Sequence, residues 1–419
     1  MAIRIAFYSA FALLLAAYLG FEVYVIGLER AHFSMHPLET RDFANYWMAA
    51  RLVADGHPQI LFDPVAYLAA LREQFGPDYP WHNWSYPPHF LFFCLPLAYL
   101  PYQAAWALFL GSTLVFFYAA ARAYVRNVIP GPEGRATWTD PLFCMLPLAF
   151  VVANIRFAQN GFLTGGLMLF AFAFWRSRPA IAGVILALLT VKPQLGLLLP
   201  LLLLLDRNWT AILSAAATTL ALGVASAVAF GGDAWVSYVT VSMPYQTRVL
   251  TEFGDGDPYL AMMLSAYTAM RSLGYSGAAP WLAQGVFAIA GLALLATVLT
   301  RAGDDATRFA SLLLATFLVV PYTFNYDAGA LVVACAALAV CAGRQWRRCA
   351  QAGLSSGATE ARFRALSLVA ATPILANLMA IFVAPLGPAI LLGALAAVAL
   401  AAVTPLPAAR PASLAAASG

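Results

Sequence analysis

Apolar runs long enough to cross a lipid bilayer recur along nearly the whole chain, from residue 5 to residue 406. Of the 419 residues, 62% are hydrophobic and 10% are charged, whereas a soluble domain is about 45–50% apolar and about 25% charged. The runs are continuous and do not alternate, which excludes a transmembrane β-barrel. The pattern predicts an all-α, polytopic integral membrane protein. We expect a single membrane domain over residues 1–419 with about ten to thirteen membrane segments.

The distribution of charge predicts the orientation of the chain. The arginines lie at the ends of apolar runs and form no patch, so the net charge of +4 does not indicate nucleic-acid binding. Arg4 precedes a first run that is longer than the core of a signal peptide, which predicts an anchor helix with a cytoplasmic N-terminus. Residues 29–88 carry four Arg and seven acidic residues and are the predicted first extracytoplasmic loop. Residues 231–258 are the second.

The first loop contains two predicted helices. Apolar residues recur at helical spacing from Asp42 to Ala54, and Asp63-Pro64 begins a second helix that runs to about Phe75. We expect both to lie along the membrane surface. The aromatic stretch from Trp81 to Pro88 then precedes an apolar run, as at the belt where a chain re-enters the bilayer.

The cysteines and histidines indicate no metal site. All five cysteines lie in or beside apolar runs, and no pair has metal-ligand spacing, so we predict neither a disulfide framework nor a zinc site. His32 and His36 are followed by Pro37 and have no third ligand at a suitable spacing. The sequence therefore predicts no metal and no cofactor.

Lys192 is the one lysine in the chain, beside 22 arginines, and it precedes a proline inside an apolar run. A cation there is costly unless it meets an anion or water, and Pro193 frees backbone groups as in a broken helix that lines a cavity. Lys192 is therefore either a ligand for a lipid phosphate or a lysine that reaches the interface from a short helix.

Three other polar sites each have a functional and a structural interpretation. Asp42 is either a catalytic base presented at the membrane surface or an acid in a first helical turn. Asp327 either orients a partner or binds a sugar hydroxyl, or it is a charge at a helix N-terminus. Gln159 and Asn160 line a sugar site or form a turn before Gly161.

With these residues, the chain resembles glycosyltransferase family 87, which comprises polyprenol-phosphate-sugar-dependent transferases of the GT-C fold and includes mannosyltransferases. The resemblance extends from about residue 40 to about residue 345 and rests on the order and spacing of short motifs. The family often has Gly before the Gln, where this chain has Ala158. The matching pieces are Asp42-Phe43-x-x-Tyr46-x-x-Ala49, Gly56-x-Pro58, Leu61-Phe62-Asp63-Pro64, Tyr86-Pro87-Pro88, Pro96-Leu97-Ala98, Gln159-Asn160, Ala182-Gly183, Lys192-Pro193-Gln194 and Tyr326-Asp327.

The resemblance implies a mechanism. Asp42 would act as general base on the acceptor hydroxyl in an inverting transfer. Lys192, or otherwise Arg156 or Arg248, would stabilise the phosphate that leaves the donor. The candidate substrate-binding residues are Tyr46, His82, Tyr86, Gln159, Asn160, Gln194, Tyr326 and Asp327.

The resemblance also implies the substrates and the location. The donor would be a polyprenyl-phosphate sugar, with mannose as the first expectation, and the acceptor a lipid or glycan. The protein would be a multi-pass protein of the cell (inner or plasma) membrane, in contact with membrane lipids, with its active site on the extracytoplasmic side. A Gly-rich phosphate loop is absent from the sequence, which does not favour a nucleotide-sugar donor. The alternatives are a transporter or flippase of a lipid-linked glycan and a non-catalytic subunit of an envelope assembly complex.

Overall fold

The computed structural model describes residues 42–129, 146–252, 260, 262–354 and 356–404, and these residues are almost entirely helical, without a β-strand. The predicted all-α, polytopic membrane fold is confirmed. The helices are α1 Phe43–Ala54, α2 Pro64–Phe75, α3 Leu91–Cys94, α4 Tyr102–Val128, α5 Leu148–Phe157, α6 Gly161–Phe174, α7 Pro179–Leu188, α8 Leu199–Leu205, α9 Trp209–Phe230, α10 Gly232–Ser237, α11 Met243–Glu252, α12 Ala266–Ser272, α13 Ala278–Arg301, α14 Asp305–Val319, α15 Gly329–Gln351, α16 Gly357–Val369, α17 Thr372–Phe382 and α18 Gly387–Val403.

Four of these helices are long and apolar enough to cross a bilayer: α4, α9, α13 and α15. The pair α16 and α17, bent by 50°, counts as a fifth if it forms one broken span. Six further apolar helices are shorter than a full crossing. The structure thus replaces many of the expected ten to thirteen segments by short pieces, while the predicted first span over 5–28 lies outside the described residues.

The apolar stretch from 88 to 128 combines a short folded segment with one crossing. Residues 88–99 form consecutive short turns of 3₁₀ and α-helix. Pro101 ends this segment because it cannot donate a backbone hydrogen bond, and α4 begins at the next residue. The 27 residues of α4 make a helix about 40 Å long, enough for one crossing. The side chain of Trp47 donates to the carbonyl of Leu100 at 3.0 Å, which fixes this corner against α1.

Residues 179–205 form a hairpin of two short helical arms. The arm from α7 leads to Lys192, Pro193 interrupts it, and α8 returns to Asp206. Asp206 there accepts hydrogen bonds from Trp175, 2.8 Å away, and Arg308, 2.5 Å away. Both ends of the hairpin therefore lie at one end of the molecule, the arginine-rich end, where Arg176, Arg178 and Arg308 are found. Lys192 lies at the tip of the hairpin.

The core of the protein surrounds α15. In the most apolar stretch of α15, 67% of the residues are buried, whereas 11% are buried in that of α9. Aromatic side chains fill the space between neighbouring helices, as where Phe172 of α6 stacks on Phe309 of α14 with ring centroids 4.1 Å apart. The difference places α15 at the centre and α9 on the outside, with its apolar surface towards lipid.

Helix α1 forms where the sequence predicts it but is buried on almost all sides. Phe43, Tyr46 and Ala49 have no exposed surface, and the ring of Phe43 packs edge-on against Tyr102 at 5.4 Å. Its apolar residues contact the protein interior, so the start of α1 is held by packing.

Candidate active site

Asp42 immediately precedes α1, yet its carboxylate makes no capping hydrogen bond to that helix. One oxygen, Oδ2, accepts from the amide Nε2 of Gln159 at 2.5 Å. The other, Oδ1, lies 3.3 Å from Nε2 of His82. The Asp42 backbone N–H donates to the carbonyl of Phe157 at 3.2 Å. The side chain remains 22% exposed, so the carboxylate is held by two partners and is still accessible.

Two tyrosines fix the orientation of the Gln159 side chain. Tyr46 donates its hydroxyl hydrogen to Oε1 of Gln159 at 2.8 Å, and the hydroxyls of Tyr46 and Tyr86 lie 2.9 Å apart. Burial raises the pKa of Tyr46 and of Tyr86 well above the ordinary value, which keeps both hydroxyls protonated. With its oxygen bound to a hydroxyl donor, Gln159 turns its NH₂ group towards Asp42.

Backbone geometry places Gln159 opposite Asp42. Helix α5 ends at Phe157, and Ala158 takes the left-handed conformation, with φ of 50° and ψ of 44°. A left-handed residue after a helix is usually Gly, because a Cβ atom costs energy there. This conformation gives a physical reason for the Gly that the resembling family often has at this position.

The second polar group of the site is a buried ion pair. Lys192 Nζ lies 2.8 Å from Oδ1 of Asp327, and the two side chains are 8% and 1% exposed. The ammonium also lies over the ring of Tyr326, 5.0 Å from its centroid, a cation–π distance. Asp327 thus pairs with the one lysine of the chain and is more than a helix-terminal charge.

Tyr86 is close enough to both groups for their charges to act on it. The charges of both Asp42 and Asp327 contribute to its raised pKa, after burial, so both carboxylates are near its hydroxyl. Asn154 on α5 adds a structural link, since its amide donates to the carbonyl of Tyr326 at 2.8 Å. Asp42 and Lys192 therefore belong to one region of the protein, although each has its own partner.

Close backbone packing holds Tyr326 in place. A Cβ atom on Gly161, the first residue of α6, would lie 1.9 Å from the Tyr326 carbonyl oxygen, so Gly is required at this approach. On the other side, Asn325 N–H donates to the carbonyl of Met262 at 2.8 Å, and Leu264 N–H to that of Thr323 at 3.1 Å. These contacts fix the segment that carries Asp327.

The other predicted residues have different surroundings. Arg156 points its guanidinium over the ring of Phe157, at 5.6 Å. Arg248 on α11 is exposed and pairs with Glu252 at 3.2 Å. Asn160 is fully buried, and neither atom of its amide has a hydrogen-bond partner within the described ranges. Gln194 is half-buried beside Lys192.

Two residues near the site were missed in the sequence. Asn154 was the easier of the two to predict, because an amide inside the apolar run before Arg156 requires a hydrogen-bond partner. Tyr245 accepts from the indole N–H of Trp81 at 3.0 Å, and the two rings lie 5.8 Å apart. No local sequence pattern could reveal the contact between Trp81 and Tyr245, because 164 residues separate them.

The described residues contain no group of three or more His, Cys, Asp or Glu side chains that could hold a metal ion. The side chains that the described part of the site brings together include the carboxylates of Asp42 and Asp327, the amide of Gln159, the phenols of Tyr46 and Tyr86, the imidazole of His82 and the ammonium of Lys192.

The model of Glycosyltransferase family 87 matches residues 84–321, which is just over half of the sequence. The match includes Tyr86, Gln159 and Lys192, whereas Asp42 and Asp327 lie outside it. No curated protein and no solved structure matches the chain.

Proposed function

The chain belongs to glycosyltransferase family 87 and is a multi-pass membrane glycosyltransferase, and we propose that it transfers a sugar from a polyprenyl-phosphate donor to a lipid or glycan acceptor on the extracytoplasmic side. The observation that carries the proposal is the carboxylate of Asp42, which two partners hold and which makes no capping bond to its own helix. Mannose is the first sugar to test.

Asp42 is the general base of the proposed reaction. It accepts the proton of the acceptor hydroxyl while that oxygen forms a bond to the anomeric carbon of the donor. The bond from that carbon to the phosphate oxygen breaks, and its electron pair leaves with the polyprenyl phosphate. A single displacement inverts the anomeric configuration. Gln159 positions Asp42, because its amide N–H binds one carboxylate oxygen and leaves the other towards His82.

Lys192 is the proposed partner of the leaving phosphate. An ammonium has three N–H donors, and Asp327 receives one of them at 2.8 Å. A donor phosphate that approaches Lys192 meets a cation that is already oriented and desolvated, where its charge is most effective. Arg156 and Arg248, the alternative phosphate ligands, lie against Phe157 and Glu252.

The distribution of arginines supports an extracytoplasmic site. Arg176 and Arg301 lie at the ends of α6 and α13 that are remote from Asp42, and three further arginines follow in the last turns of α15. Under the positive-inside rule this end faces the cytoplasm. The end that carries Asp42 then faces outward, where a lipid-linked sugar is the available donor.

The donor class is tested with the purified full-length protein in liposomes. Radiolabelled polyprenyl-phosphate mannose, the corresponding glucose and arabinose donors, and a nucleotide sugar are supplied one at a time with a membrane extract as acceptor. We expect product from a polyprenyl-phosphate donor alone. Transfer from the nucleotide sugar contradicts the proposed donor. Movement of a lipid-linked glycan across the bilayer without any transfer supports the flippase alternative.

A further inference from the structure

A cavity of about 180 Å³ opens at the arginine-rich end of the molecule, between α13, α14, α15, α16 and α18. It meets α15 from Leu338 to Gln345, whereas α15 begins two residues after Asp327. At 1.5 Å per residue the cavity lies roughly 15–25 Å along the helix from the candidate active site. It is therefore a separate site.

Two arginines and a glutamine of this cavity have unused hydrogen-bond donors. Arg301 and Gln345 line it, and neither side chain makes a hydrogen bond within the described part of the chain. Arg362 lines it too and donates from Nη1 to the carbonyl of Thr404. A guanidinium has five N–H donors, so both arginines can bind a further acceptor.

The one acid of the cavity is already satisfied. The carboxylate of Asp304 caps α14, accepting from the backbone N–H of Thr307 at 2.9 Å and from its hydroxyl at 2.8 Å. Two arginines with unused donors therefore face one acid whose hydrogen bonds are made. This balance favours an anion that accepts several hydrogen bonds, such as a phosphate.

The size and the apolar wall of the cavity restrict the class of ligand further. Its volume is below the roughly 300–1,000 Å³ of an ordinary small-molecule pocket, which is too small for a nucleotide sugar. Its wall includes the buried side chains of Leu338, Leu366 and Val398. Basic pockets between membrane helices at the cytoplasmic boundary are where anionic headgroups bind. We propose that this cavity binds a phosphate group, carried in the membrane by the headgroup of an anionic phospholipid.

Native mass spectrometry tests the proposal on the full chain. The protein is reconstituted in bilayers of equal phosphatidylglycerol and phosphatidylcholine, extracted gently, and the lipids that remain bound are counted. We expect retention of phosphatidylglycerol over phosphatidylcholine, and a loss of about tenfold in Arg301→Gln/Arg362→Gln. Arg364→Gln is the matched control, because Arg364 lies on the same helix, is exposed and pairs with Glu360. Equal retention of both lipids by the wild type excludes the headgroup as the source of the phosphate, and together with no arginine-dependent stabilisation by free glycerol 1-phosphate it overturns the proposal.

A second variant keeps the test decisive if the double variant does not fold. Ala402→Leu fills the cavity and removes no charge, so it also reduces phosphatidylglycerol retention. Unchanged retention in a folded Ala402→Leu variant overturns the proposal. In a parallel arm, glycerol 1-phosphate is added to the protein in detergent. A rise in the unfolding temperature of the protein that depends on the two arginines, without lipid retention, supports the phosphate site and identifies a soluble molecule as the source of the phosphate.

Discussion

At the scale of single residues, the account depends on how Gln159 faces Asp42. The sequence predicts the pair as a candidate base and a candidate sugar ligand, but it does not predict that they bind each other. A separation of 117 residues hides the contact, and the orientation of the amide depends on Tyr46, whose hydroxyl binds its oxygen. The sequence context singles out both residues and the resemblance implies their roles, but the contact between them depends on three-dimensional packing.

Gln159→Glu places a second carboxylate beside Asp42, and two like charges at this distance cannot both ionise. We expect turnover to fall by about 100-fold or more with a smaller change in KM, because a protonated or displaced base lowers the rate of the chemical step. Steady-state kinetics with the lipid-linked donor measure both. Gln103→Glu, at an exposed position at the start of α4, is the matched control and should retain wild-type kinetics. Equal losses in the two variants would contradict the positioning role.

The Lys192–Asp327 pair allows structural and catalytic roles to be separated. Asp327→Leu alone leaves a buried ammonium without its partner, and we expect a loss of roughly 3–5 kcal/mol in the free energy of unfolding. Lys192→Met/Asp327→Leu removes both charges and should recover most of that stability. If Lys192 stabilises the leaving phosphate, the double variant folds and remains inactive. An active double variant would show that the pair is structural only. Thermal unfolding and transfer activity are the two readouts.

At the scale of elements, interruptions in the apolar runs create the site. Pro101 separates a short turn segment from α4, and Pro193 places Lys192 at the tip of a hairpin. The sequence marks both breaks, because proline cannot continue a helix. It does not show whether a broken run crosses the bilayer or turns back. That choice depends on packing, as where Asp206 meets Arg308 at the end of the hairpin.

Gly161 at the start of α6 tests the close approach that holds Tyr326. In Gly161→Ala the added Cβ would lie 1.9 Å from the Tyr326 carbonyl, so the segment with Asp327 must shift. We expect a lower unfolding temperature and reduced transfer. Gly285→Ala in α13 is the control: its Cβ meets nothing within 4 Å, and Ala is favoured over Gly in a helix by about 1 kcal/mol. A Gly161→Ala variant with wild-type stability and activity would show that this contact is unimportant.

At the scale of the whole molecule, the two ends have different chemistry. One carries Asp42 and the Lys192–Asp327 pair, and the other carries most of the arginines. Composition and arginine placement alone predict the all-α membrane class, because a continuous apolar run in lipid satisfies its backbone hydrogen bonds only as a helix. They do not predict that α1, expected at the membrane surface, is buried. The burial of Tyr46 and Phe43 comes from contacts with Tyr86, Phe109 and Tyr102, which lie 40 to 63 residues further along the chain.

The arginine-rich end is held by Asp206, which also pairs with Arg176 at 3.7 Å. Burial opposes its ionisation, but hydrogen bonds from Arg308 and Trp175 outweigh it and lower the pKa of Asp206. A lowered folded-state pKa contributes stability above the unfolded value of about 3.9, and this stability is lost as the pH falls through the folded value.

We therefore expect Asp206→Asn to lower the unfolding temperature by several degrees at pH 7, with a difference from the wild type that narrows as the pH falls below about 4. Unfolding in detergent, followed by circular dichroism from pH 3 to pH 8, measures the difference. Asp233→Asn, at an exposed position, should show no such dependence. A gap between wild type and Asp206→Asn that is constant down to the lowest pH would exclude this origin.

The central claim is that Asp42 is the base of a sugar transfer. The most direct test compares Asp42→Asn with Asp55→Asn, an exposed aspartate that follows the same helix, in liposomes with a polyprenyl-phosphate mannose donor. Asparagine keeps the shape of the side chain and cannot accept the acceptor's proton. We predict that Asp42→Asn is folded and binds the donor, with turnover reduced by about 100-fold or more, and that Asp55→Asn matches the wild type. Normal turnover in Asp42→Asn would contradict the account.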